Sequence, residues 1–158
     1  MGPDEFRRQG HAVVDLMADY LEALPSGPVW RPVPQPSRAA LADQALPQEG
    51  IPFGELLGHA RQHVLPFPFG NGHPRFFGWG NPPPALPGVL AELIAAAMNP
   101  SCAGGDQAAV HLERCAVRWV AELVGFPGEG VLVSGGAAAS LTALAAARHR
   151  AAVADGWD

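Results

Sequence analysis

Residues 130–148 read GVLVSGGAAASLTALAAAR: a short apolar run, a Ser134-Gly135-Gly136 turn, then a stretch dominated by alanine. Alanine is the strongest helix former, so a helix is expected from about Ala137 to Ala154. The run Gly130 to Val133 is expected as a short buried strand leading into it. The unpaired N–H groups and positive dipole end of such a helix start suit a phosphate. Gly135 and Gly136 would let an anion approach the backbone closely. The turn is neither GxxxxGK[ST] nor GxGxxG. On geometry alone, a glycine turn joining two packed elements is the favoured reading.

Other reactive side chains form weaker patterns. His59 and His63 stand four apart on an expected helix, but no glutamate follows the first histidine and no third ligand is evident, so a solvated helix face is the better reading. Cys102 and Cys115 read as ordinary thiols, and Ser134 has no base signature near it. All ten basic residues are arginine, so the chain contains no lysine at all.

These residues must be held by helices that proline and glycine separate. From Asp4 to Leu24 the apolar residues Phe6, Val13, Met17, Leu21 and Leu24 recur at helical spacing, between Pro3 and Pro25. Pro25, Pro28, Pro32, Pro34 and Pro36 then fix φ repeatedly, which predicts an extended arm through about Gln48. Pro52 suits the first turn of a short helix carrying Phe53, Leu56, Leu57, Ala60 and Val64, closed by Pro66 and Pro68. Residues 70–84, GNGHPRFFGWGNPPP, are too rich in glycine and proline for a helix and form an aromatic loop. An apolar helix from Leu86 to Met98 follows, then a loop from Asn99 to Asp106. Asp106 is the expected N-cap of a helix from Gln107 to Val124, which Gly125 and Pro127 end.

Composition bounds the partners. A length of 158 residues at 48% hydrophobic content allows one compact domain, small for an enzyme that encloses a large cofactor. A net charge of −5 with scattered arginines offers no stripe for a phosphate backbone, so nucleic acid is not expected as a partner. Two cysteines make no disulfide framework and no leader opens the chain, which together predict a cytoplasmic protein. The longest apolar run is too short to span a bilayer, so no membrane partner is expected.

The segments HPRFFGW, NPSCAGGD, LERCAVRWVAELVGFP and GVLVSGGAAASLTALAAAR occur in that order. The series resembles the pyridoxal-phosphate-dependent group II amino-acid decarboxylases, the family of aromatic-L-amino-acid, histidine and glutamate decarboxylases. The opening EFRRQGHAVVDLMADYLE is similar to that family's first helix, and the prolines after it match its swapped arm. The resemblance covers nearly all of this chain and about the first third of the family.

The resemblance implies an α/β protein of which this portion is mostly helical. Residues 1–100 would be a helical dimerisation segment with its proline-rich arm at 25–48. Residues 101–158 would begin an aspartate-aminotransferase-like (fold type I) cofactor domain. It implies pyridoxal 5'-phosphate as cofactor, an L-amino acid as substrate of the full-length member, and a homodimer. Carried over by position, the phosphate cup falls on Gly135, Gly136 and Ala137. The family usually has serine or threonine where Ala137 stands and often asparagine at Ser140, so one hydroxyl contact to phosphate is missing. The substrate wall falls on Phe77, Trp79 and Gly80, with Pro100 and Ser101 approaching the partner's site. Phe76 and Phe77, taken alone, read rather as core anchors. His73 takes no catalytic role, because the family's ring-stacking histidine would lie beyond residue 158. So would the lysine that holds the cofactor covalently and the aspartate that pairs with its ring nitrogen, leaving no catalytic residue here. Two functions follow: a partial decarboxylase, inactive alone, or a non-catalytic interaction module derived from that family.

Overall fold

A computed structural model describes residues 1–80, 82–101, 105–126 and 128–156. The chain divides into two compact units, Met1–Leu90 and Ala91–Asp158. Helices supply all of the regular structure among the described residues.

In the first unit, α1 (Pro3–Ala23) opens with Pro3 in its first turn, where no N–H donor is needed, and with Asp4 and Glu5 beside its positive end. Val13, Leu16, Met17, Tyr20 and Leu21 are half-buried along one stripe, whereas Phe6, expected on that stripe, is exposed. A 3-10 turn, Leu24–Ser26, ends the helix. The proline-rich arm then contains a helix that its composition did not predict, α2 (Gln35–Ala42). Pro34 caps it in an extended conformation and Pro36 sits in its first turn, where proline costs no hydrogen bond. The following residues Ser37 to Ala42 then propagate the helix.

Helix α3 (Phe53–His59) runs on into a π-helical turn, Ala60–Val64, closed by the Leu65 N–H donating to Ala60 O at 3.0 Å. This turn packs against α2, and α3 packs against α1. The bond from His63 Nδ1 to Ser37 Oγ, 3.1 Å, joins them, with Ser37 only 6% exposed.

Helix α4 (Leu86–Met98) carries the division between the units and stands at the expected residues. In the second unit, α5 (Ala108–Leu123) is capped by Gln107 and not by Asp106, whose carboxylate instead pairs with His111 Nε2 at 2.5 Å. Its end is set by Gly125 at φ +68, with Phe126 N–H donating to Ala121 O and Gly125 N–H to Glu122 O. This 6→1 and 5→2 pair needs a left-handed residue, which glycine adopts freely. Residues 130–133, expected as a strand, form none among the described residues: a parallel strand needs a neighbour to complete its ladder. The segment is held instead by α5, through Leu132 N–H donating to Glu113 Oε1 at 3.1 Å. Helix α6 (Gly136–Asp155) follows.

Among the described residues no hydrophobic side chain is buried, and α5 and α6 do not pack on one another. Apolar faces of both units therefore remain open. No described helix is long and apolar enough to cross a membrane.

Candidate functional site

Gly135, Gly136 and Ala137, where the resemblance expects a phosphate cup, lie at the start of α6. Gly135 is its N-cap at φ +154, ψ 171, a conformation essentially confined to glycine. The first bond of the helix runs from Ala139 N–H to Gly135 O at 2.9 Å. The N–H groups of Gly136, Ala137 and Ala138 therefore precede the ladder, and no side chain caps them. A Cβ added at Gly135 or Gly136 would meet nothing within 4 Å, so the approach to these donors is open. Ala137 offers no hydroxyl; one missing charge-assisted hydrogen bond weakens anion binding by about 1.5–3 kcal/mol and leaves the backbone donors in place.

Phe77, Trp79 and Gly80, expected as a substrate wall, belong to the first unit. Trp79 holds φ +51, the left-handed region that bulky residues avoid at a cost of about 1–3 kcal/mol. Its ring stacks on Phe69 with centroids 4.8 Å apart and planes 20° apart, and meets Phe76 edge-on at 6.5 Å. Phe76 in turn meets Phe69 edge-on at 6.2 Å. Such pairs contribute about 0.5–1.5 kcal/mol each, enough to offset the backbone strain. Phe76 is half-buried in this cluster, but Phe77 is 92% exposed and anchors no core in this chain. Gly80 is exposed with open space around it.

The loop is tied down by His73, 4% exposed. Arg75 N–H donates to its Nδ1 at 3.0 Å, so the ring proton sits on Nε2 and is donated to Gly27 O, also at 3.0 Å. Gly70, buried at φ +85, lets the arm pass: an added Cβ would lie 2.7 Å from Val29 O and 2.7 Å from the Phe76 ring.

Pro100 and Ser101 are exposed and follow α4 directly, after Asn99 at φ +43. They share the second unit with the cup, while Phe77, Trp79 and Gly80 sit in the first. Phe69 and His73 are the structural contributors that sequence reasoning did not assign; the run Pro66-Phe67-Pro68-Phe69 gave the only hint of an aromatic lead-in to the loop. The rings of His59 and His63 stand 5.7 Å apart, but His63 is engaged by Ser37, and no group of three metal-binding side chains gathers among the described residues.

With this geometry in hand, the relatives become informative. The family profile of the pyridoxal-dependent decarboxylase conserved domain matches residues 34–154. The chain belongs to that family. It is 30% identical over 153 residues to the aromatic-L-amino-acid decarboxylase of Bacillus atrophaeus, covering 94% of this chain and 32% of the relative. It is 35% identical over 161 residues to the tyrosine decarboxylase of Oryza sativa subsp. japonica, covering 93% and 30%. The crystal structure of Oryza sativa TDC with PLP and tryptamine superposes with a TM-score of 0.80 at 26% identity, over all of this chain and 36% of that one. The chain thus spans about a third of the relatives it matches, and its helical architecture is that of the corresponding portion of these decarboxylases.

Proposed function

We propose that these residues are the amino-terminal portion of a pyridoxal-phosphate-dependent decarboxylase that releases carbon dioxide from an L-amino acid, and that they do not complete the reaction by themselves. The observation that carries this reading is the uncapped start of α6 behind Gly135, where the family resemblance would put the phosphate cup. The cup fits the cofactor's phosphate, since its donors are backbone N–H groups and its approach is open. The rest of the cofactor has no covalent partner here, because the chain has no lysine.

When bound, pyridoxal phosphate supplies an electron sink for the charge left by departing carbon dioxide. Gly136, Ala137 and Ala138 would hold its phosphate and orient it. Trp79 would present a flat apolar wall to the substrate side chain, and with Gly80 leaving room beside it, an aromatic L-amino acid is the favoured class. The names of the relatives agree with that class. Pro100 and Ser101 would serve a partner's site in a homodimer. A second reading, a non-catalytic dimerisation or interaction module derived from that family, is favoured by the open apolar faces.

One experiment separates the readings. Pyridoxal phosphate added to the chain should raise its melting temperature slightly, by mass action on the folded state. Borohydride should then fix cofactor on no side chain, leaving only the amine of Met1. Carbon dioxide release from aromatic and acidic L-amino acids should stay at the free-cofactor rate. Release above that rate would overturn the claim of inactivity, and an unmoved melting temperature would favour the module.

A further inference from the structure

Phe69 reaches the aromatic cluster from the end of a proline-flanked run, outside the positions assigned to the substrate wall. Its ring lies nearly parallel to that of Trp79, 4.8 Å away. Burial does not hold Trp79, which is 73% exposed, and its backbone occupies a conformation that a bulky residue leaves unless something retains it. Two rings meet it among the described residues, Phe69 stacked on its face and Phe76 in a T-shaped arrangement. Phe76 is itself closely fitted, for a Cβ added at Gly70 or Gly78 would come within 2.7 or 2.9 Å of its ring.

We propose that Phe69 is a positioning residue for the substrate wall. By covering one face of the Trp79 indole it fixes the plane of that ring and leaves the opposite face free. Its meaning for substrate choice rests on the decarboxylase reading above, whereas its effect on Trp79 does not.

The substitutions Trp30→Phe, Trp119→Phe and Trp157→Phe leave Trp79 as the sole indole, and time-resolved fluorescence anisotropy then reads the motion of that ring. The expected result is a slow decay that Phe69→Tyr preserves. Phe69→Leu should add a fast local component carrying at least half the amplitude, with the far-ultraviolet circular dichroism unchanged. If the leucine variant loses helical signal, Phe69→Met, which keeps side-chain length without a ring face, makes the same test. A dominant fast component in the parent, or leucine and methionine variants that match it, would overturn the assignment. Neither cofactor nor substrate enters the measurement. An ordered Trp79 combined with a melting temperature unmoved by pyridoxal phosphate would therefore favour the non-catalytic module over the decarboxylase reading and leave this assignment standing.

Discussion

Both ring nitrogens of His73 meet backbone groups, the Gly27 carbonyl and the Arg75 N–H, and so tie the aromatic loop to the arm. The histidine's place in a glycine-rich aromatic loop was plain from the sequence, and the family resemblance gave it no catalytic role. Its bond to Gly27 was not legible, because a contact across 46 residues leaves no trace in local spacing. With both ring nitrogens engaged by backbone groups, replacing the imidazole by an apolar side chain strands a carbonyl and an N–H together. His73→Leu should lower stability by about 1–3 kcal/mol, read as a fall in the urea midpoint. Arg7→Ala, which removes only an exposed pair with Asp4, should shift it by no more than about 0.5 kcal/mol. Equal shifts would show that His73 is no anchor.

At the scale of elements, amphipathic spacing located α1 and α5, apolar content α4 and alanine content α6, each to within a residue or two, with proline and glycine punctuation marking their ends. Helix α2 escaped notice because proline density argues for extension, and only the position of Pro34 and Pro36 at a helix start removes the conflict. The strand at 130–133 failed for a different reason: apolar content marks a segment that can pair, while pairing requires a second strand. Residues 134–136 were legible as a glycine turn before a helix, and the phosphate role proposed for them came from the family resemblance. They also yield a clean substitution. Gly136→Asp puts a carboxylate on the first turn of α6, where the dipole stabilises it by about 0.3–1 kcal/mol, yet fills the proposed anion site with negative charge. The variant should melt no lower than the parent and should lose the stabilisation by phosphate or pyridoxal phosphate. Retention of that ligand effect would mean that the site lies elsewhere.

For the molecule as a whole, the family was legible from the order of four motifs, none of which is diagnostic alone. The state of the hydrophobic surface was not, since composition reports how much apolar area a chain has and not what covers it. Leu86, Leu90, Leu93, Ile94 and Met98 of α4 are all exposed, as are Leu141 and Leu144 of α6. Apolar patches of this kind drive association. At micromolar concentration we expect a homodimer or a larger species by light scattering. A monomer that binds no hydrophobic dye would reject that expectation.

The bond between His73 and Gly27 also closes a ring of backbone, and the connector between α2 and α3 lies inside it. That connector, the ten residues from 43 to 52, has no regular structure and is exposed throughout 43–50. Closing a flexible loop costs entropy that grows only with the logarithm of its length, so doubling this connector would cost about 0.6 kcal/mol. The tie is thus nearly indifferent to how much chain it encircles there. Length can change within the arm, by mutation or by a grafted label, while the aromatic loop stays where the histidine holds it.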